Sequence, residues 1–254
     1  MTVLENAARV LRCFGPDCPS LLVSEVVQRL GLPKANASRL MKAMRESGML
    51  ETIGDSHRHR PGTMMLDLTA AYRRSSVLVQ MASEVVAGVT RQFGHTGYVS
   101  NREGREVTAV ADFPGTNALR VVSSIGRRLP AHLSATGRSL LARMPDDEVA
   151  ALYATQPGVA ANIAPILATA RAQGFASSSQ ETTPGVDAVA VAAADPTSGE
   201  AVSLCIVYPH TVVSADERQQ IVAALIAGGQ AIAARLFPSD GPRDTFHAKE
   251  IQNG

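Results

Sequence analysis

Residues 22–62 constrain this chain more than any other stretch, because two short runs of helical hydrophobic period meet at a four-residue break, Leu30-Gly31-Leu32-Pro33. Ser24 suits the cap of the first helix, ahead of Val26, Val27 and Leu30, and Glu25 is favourable in its first turn. Gly31 supplies a left-handed residue to end that helix, and Pro33 cannot continue it. A second helix starts near Lys34, with Ala37, Leu40, Met41 and Met44 as its buried stripe. Lys34, Asn36, Ser38, Arg39, Lys42 and Arg45 lie largely opposite, all donors suited to phosphates and base edges. Gly48 closes this helix, and residues 49–53 and 57–60 flank Gly54-Asp55-Ser56 as a short hairpin. Its second arm, His57-Arg58-His59-Arg60, is densely basic. Helix, turn, helix and wing, in that order, fit one helix to the major groove and a loop to the phosphates.

Such a pair also occurs as an ordinary structural corner, and a basic helix face is usually only a solvated one. Charge distribution separates the two readings. Residues 1–62 hold nine Lys+Arg against six Asp+Glu, a net +3, whereas residues 63–254 hold 15 against 17, a net −2. A basic N-terminal module on a mildly acidic body fits a nucleic-acid reader with a separate second domain.

At 254 residues and 45% hydrophobic, the chain is long enough for two cores. Its most apolar stretch, residues 221–237, is broken by Gly228-Gly229-Gln230 and Arg235 and keeps helical spacing at Ile221, Leu225, Ile232 and Leu236. That spacing predicts a docked C-terminal helix rather than a membrane span. No charged-then-apolar leader opens the chain, so a cytoplasmic protein with no membrane partner is expected. Cys13, Cys18 and Cys205 make no disulfide framework, and Cys13 and Cys18 lack a second pair of metal ligands. Neither a metal nor a cofactor is expected.

Residues 4–14 set Ala7, Val10, Leu11 and Phe14 on one face, a first helix that completes a three-helix core. Residues 63–75 read as a linker helix and 77–93 as a long helix striped by Leu78, Met81, Val85, Val86 and Val89. After Gly94 the texture turns alternating and β-branched, with strands expected at 96–100, 106–112, 119–123, 174–181, 188–194 and 201–208. Helices are expected near 135–143, 146–154, 162–173 and 214–237. Strands with helices on a face, led in by a long helix, give an α+β ligand-sensing domain. The expected division is 1–62 for DNA binding, 63–75 as linker, 76–237 as effector domain and 238–254 as a disordered polar tail.

These residues resemble the IclR family of bacterial transcriptional regulators over roughly residues 3–237. The N-terminal likeness is Leu30-Gly31-Leu32-Pro33-Lys34 with Arg39-Leu40, then Ser47-Gly48-Met49-Leu50 and the Arg60-x-Gly62 that ends the wing. The C-terminal likeness is independent: Arg128-Leu129-Pro130-Ala131-His132-Leu133-Ser134-Ala135-Thr136-Gly137-Arg138, then Gly174-Phe175 and Pro184-Gly185-Val186. Three departures stand out. Ala35-Asn36 replaces the family's usual Ser-Thr, His59 stands where the wing usually has Tyr, and Arg138 replaces a Lys. The resemblance implies a winged helix-turn-helix domain joined by a linker helix to a GAF-like α/β effector domain. Its partners would be double-stranded operator DNA and a small-molecule effector, in a homodimer or a dimer of dimers. Repressor and activator modes are equally open. The candidate DNA-binding residues are Ser24, Lys34, Asn36, Ser38, Arg39, Lys42, Arg58 and Arg60.

The same resemblance carries an effector pocket onto Leu119, Val122, Ser134, Ala135, Thr136, Ser178, Ser179, Ala188, Cys205 and Val207. Ser134-Ala135-Thr136-Gly137 opens a helix, so unpaired amides and two hydroxyls would converge as a carboxylate cradle, and Ser177-Ser178-Ser179 adds hydroxyls on a strand edge. The plainer alternative makes Ser134 an N-cap and the serine run a solvated edge. No cation sits clearly inside this set; Arg120, Arg127 and Arg128 are near, but strand alternation leaves their direction open. Cys205 should alternate to the same face as Ser203 and Val207.

An enzyme is disfavoured. His95, His132 and His210 have no nucleophile motif around them, and the chain has no phosphate loop, no Gly-x-Ser-x-Gly and no His-Glu-x-x-His. A DNA-binding scaffold regulated by a partner protein is the rival reading, which a metabolite screen would separate from a sensor.

Overall fold

The computed structural model describes residues 2–15, 17–121 and 127–237. Val122, the second half of the strand expected at 119–123 and the tail 238–254 fall outside them.

Three helices, α1 (Val3–Leu11), α2 (Val23–Leu30) and α3 (Lys34–Glu46), enclose the first core, in which Val10, Leu21, Val26, Ala37, Met41 and Leu50 are buried. Helix α1 starts on a reciprocal cap: the Thr2 hydroxyl accepts from Glu5 N–H, and Thr2 N–H donates to the Glu5 carboxylate. Helix α2 begins one residue before the expected cap. Leu22, not Ser24, holds the N-cap position, and Glu25 reaches back to accept from Leu22 N–H at 2.6 Å. That carboxylate satisfies the cap amide by itself, which leaves Ser24 exposed inside the first turn. Gly31 and Gly48 take the left-handed conformation, with φ of +66° and +79°, where a side chain would be strained. The wing is an antiparallel pair, β1 (Leu50–Thr52) and β2 (His59–Pro61), with Glu51 opposite Arg60 and Thr52 opposite His59.

Helix α4 (Thr63–Ser75) leads through Ser76 into α5 (Val77–Phe93), both as expected. The Ser76 hydroxyl accepts from Val79 N–H and donates to Glu200, so the turn between the two helices is tied to the second domain. That domain is built on a six-stranded antiparallel sheet in the order β5-β4-β3-β8-β7-β6. Its strands are β3 (Thr96–Glu103), β4 (Glu106–Phe113), β5 (Arg128–Pro130), β6 (Ala176–Ser179), β7 (Val186–Asp195) and β8 (Glu200–Pro209). Alternation sorts the two faces. Val189, Val191, Leu204 and Ile206 pack with α5 and α9 (Ala215–Leu236), while Ala190 and Cys205 face α6 (Ala135–Leu141). A third cluster under α7 (Asp146–Leu152) and α8 (Pro157–Gln173) buries Tyr153, Leu141, Ile163 and Leu167.

Three departures from expectation have physical causes. Leu119–Val121 is not a strand, because the free edge of β4 at Glu106–Thr108 is taken by Arg128–Pro130. Helix α8 starts at Pro157, five residues early, because proline is well placed in a first turn whose N–H groups lack helical partners. Strands β3 and β4 carry a bulge: Val99 pairs with Ala111 but Ser100 with Ala109. Val110 is thereby left over, and its carbonyl accepts from Arg73 Nε of the linker helix at 2.7 Å. Among the described residues, no helix is long and apolar enough to cross a membrane.

Candidate functional site

The exposed face of α3 carries Lys34, Asn36, Ser38, Arg39, Lys42 and Arg45, all in solvent, while Ala37, Met41 and Met44 face the core. Arg39 lies along its own helix and donates to the Asn36 side-chain oxygen at 2.7 Å. Asn36 therefore orients the arginine. Lys42 pairs with Glu46 one turn on. The wing is less uniform than its sequence implies. Arg60 is half exposed and bonded across the hairpin to Glu51, a partner that a phosphate can replace. Arg58 instead turns inward, donating to the Ser20 hydroxyl and carbonyl at 2.8 Å and to Glu25 at 3.2 Å. Its charge is compensated inside the domain, and it fastens the wing to α2. The Leu22 amide first, and then Arg58, hold the Glu25 carboxyl below the usual carboxylate range.

His59 completes the fastening. Its backbone pairs with Leu21 in both directions at 2.8 Å, and its ring is buried with no hydrogen-bond partner for Nδ1 among the described residues. Burial first, and then the Arg45 charge, push the imidazole below its ordinary value of 6.5. The unfolded chain thus takes up a proton near pH 6.5 that the folded domain resists. Stability is unaffected above that pH and is lost as pH falls below it, by at most about 1.4 kcal/mol per pH unit. His132 shifts in the same direction, so the comparison must be differential. Between pH 7 and pH 5, the melting temperature of His59→Phe is expected to fall less than that of the unaltered chain. Equal falls in calorimetry would contradict this assignment.

The second domain holds a cavity of about 150 Å³ between α6 and the sheet face that carries Cys205. Sheet register builds its floor. Tyr98, Cys205 and Ala190 lie in one cross-strand row, and Val207, Ala188 and Ser178 in the next. Ser134, Ala135 and Thr136 close it from α6, and Ser100, Val107, Ala109 and Leu129 from the β4 side. Burial pushes the Cys205 thiol up to about 11, so it is an inert apolar wall rather than a nucleophile.

Of the ten expected pocket residues, Ser134, Ala135, Thr136, Ser178, Ala188, Cys205 and Val207 meet at this cavity. Leu119 is 67% exposed and away from it. Ser179 points to the opposite face of β6, 3.5 Å from His210 Nδ1. Ser203 shares the face of Cys205 but sits under α6, bonded to Ser139. Two amides of the expected cradle are already used: Ala135 N–H donates to Ser178 Oγ and Gly137 N–H to Ser134 Oγ. Ser134 is an N-cap as well as a wall.

Strand alternation could not orient the three nearby arginines. Arg128 pairs with Glu103 and Glu106, and Arg120 bonds to the Asn117 carbonyl. Arg127 lines the cavity mouth, donating to Thr183 Oγ1 at 3.0 Å and the Thr182 carbonyl at 3.1 Å. Tyr98 and Thr182 were also missed by sequence reasoning. Tyr98 is half-buried in β3, and its neighbour Cys205 is known only from register.

Asp187 and Ser179 both approach the same nitrogen of His210, whereas a nucleophile–base relay uses the two ring nitrogens separately. Among the described residues no group of three or more metal-ligating side chains is assembled.

Residues 3–54 match the IclR helix-turn-helix domain, and residues 70–234 match the C-terminal domain of IclR bacterial transcriptional regulators. The HTH-type transcriptional regulator XynR of Escherichia coli is 28% identical over 197 residues, covering 74% of this chain and 78% of that protein. The crystal structure of an IclR transcriptional regulator from Alicyclobacillus acidocaldarius superposes with a TM-score of 0.82 at 21% identity, covering 92% of this chain and 98% of that one. An IclR homolog from Microbacterium hydrocarbonoxydans, solved in complex with 4-hydroxybenzoate, gives a TM-score of 0.77 at 22% identity, covering 94% and 100%.

Proposed function

Because this chain belongs to the IclR family of bacterial transcriptional regulators, and is a DNA-binding regulator rather than an enzyme, we propose that its operator affinity is set by a small organic acid bound in the second domain. The observation that carries this reading is the cavity itself. It is ring-sized, rich in hydroxyls and, among the described residues, lined by one cation and no carboxylate. The 4-hydroxybenzoate held by a relative of the same fold supports a carboxylate of that size. On this reading residues 1–62 read DNA in the cytoplasm, 63–75 link, and 76–237 sense.

The DNA-reading residues are Lys34, Asn36, Ser38, Arg39 and Lys42 from α3, with Ser24 at the start of α2 and Arg60 from the wing. One helix distinguishes only a few base pairs, so a specific site requires two copies in a homodimer or a dimer of dimers. Leu4, Leu66 and Leu68 are 77%, 70% and 57% exposed, which supplies apolar surface for such pairing. The test is Ala135→Leu, which fills the cavity beside Cys205. Acids that alter operator affinity of the unaltered protein are expected to have no effect on a variant whose melting temperature shows it folded. A full response in that variant would defeat the cavity reading.

A further inference from the structure

We infer that Arg127 is the residue that selects the ligand of this cavity, receiving the carboxylate of a ring-sized monocarboxylic acid at the mouth while the apolar body lies inward against Tyr98 and Cys205. The inference rests on the cavity being the effector site, and it adds which group reads the acid and which way round the acid binds.

Arg127 differs from its neighbours in the company it keeps. Arg128 is paired with two carboxylates, and the buried Arg138 is clamped in bidentate fashion to Glu181. The partners of Arg127 are a hydroxyl and a carbonyl, so among the described residues its charge has no counter-ion. It is also the charged residue on the cavity wall. A guanidinium has five N–H donors, and two of them are used on Thr182 and Thr183, which leaves donors for a carboxylate. Arg127 is exposed and Thr182 and Thr183 are only half-buried, so both threonine groups can turn to water when the arginine turns to a ligand. A cavity of about 150 Å³ is of the size that accepts a single benzene ring. The inner wall of Ala135, Ala188, Cys205 and Val207 offers that ring apolar contact and no second charge.

The competing account makes Arg127 a staple for the loop at 180–185 with no part in recognition. Isothermal titration of the full chain separates the two. The probes are benzoate, 4-hydroxybenzoate and pyruvate, each acid set beside its amide, with the unaltered protein, Arg127→Gln, Arg127→Lys and Ala135→Leu. At least one acid is expected to bind the unaltered protein ten-fold or more above its amide, and more weakly as salt rises from about 50 to about 300 mM. Arg127→Gln should bind that acid about thirty-fold more weakly, bind the amide within two-fold of normal and lose the salt dependence. Arg127→Lys should keep part of the preference. Acid preference and salt dependence surviving in a folded Arg127→Gln would overturn the inference while leaving the cavity reading intact. Undiminished binding to Ala135→Leu would overturn both, and binding of none of the acids would overturn the ligand class.

Discussion

Gly137→Ala is expected to destabilise the second domain by about 3 kcal/mol or more, lowering its melting temperature by about 6–12 °C. A Cβ at Gly137 would stand 2.2 Å from both the Cα and the carbonyl oxygen of Ala131, which is backbone and cannot turn aside. Helix α6 must therefore lift away from the strand that leads into it. Lifting it also breaks the bonds that Arg138 makes to the His132 and Ser177 carbonyls and to Glu181. The cavity opens with it, because Ala135 and Thr136 ride on the same helix. Gly88→Ala is the matched control. It lies in the interior of α5 with nothing within 4 Å of the added carbon, so it should stabilise by about 0.5–1 kcal/mol. Calorimetry in which both variants melt within about 2 °C of the unaltered protein would refute the close approach at Gly137.

Replacing Lys34, Arg39 and Lys42 together by alanine should weaken operator binding by about two to three orders of magnitude at about 0.1 M salt. All three side chains are exposed on one face of α3. Each phosphate neutralised releases condensed counterions, so the slope of log affinity against log salt should fall by about 0.9 for every phosphate that the variant leaves without a cation. Arg39→Ala alone should also relax sequence preference at one position of each half-site, because Asn36 holds its guanidinium on the exposed face of α3 that is proposed to read the major groove. Arg58→Ala should behave differently. Glu25 already compensates that charge, so the salt slope should change little while the wing loosens. An unchanged salt slope for the triple variant, measured by fluorescence anisotropy, would remove α3 from the DNA interface.

Much of this architecture could be read from the chain before folding, because it depends on neighbours a few residues apart. The stripe Ala37, Met41 and Met44 and the glycine at 31 place α3 and its turn, and helices α4 and α5 keep the bounds that their periodicity predicts. The alternation Ala188, Ala190 against Val189, Val191 gives a strand with a small-residue face and a large-residue face. Seven of the ten pocket residues that the family likeness implies lie at the cavity, and that alternation accounts for Ala188 among them.

Other features were set by partners far along the chain. Arg127 is aimed at the cavity by Thr182 and Thr183, more than fifty residues away, and its own segment has no alternation that would orient it. The bulge that leaves over Val110 shifts the parity of β4, so Val107 and Ala109 face the cavity only because Ser100 meets Ala109 across the strand pair. Arg58 reads as a phosphate contact until Glu25 and Ser20 come within reach. By itself the sequence determined most of the helices and strands, and the basic face that α3 presents, since period and charge are local properties, but not β5, which is a strand only because it pairs with the edge of β4. The tertiary structure decided which side chains meet, because register, bulges and ion pairs are chosen among surfaces that exist only once those segments have packed.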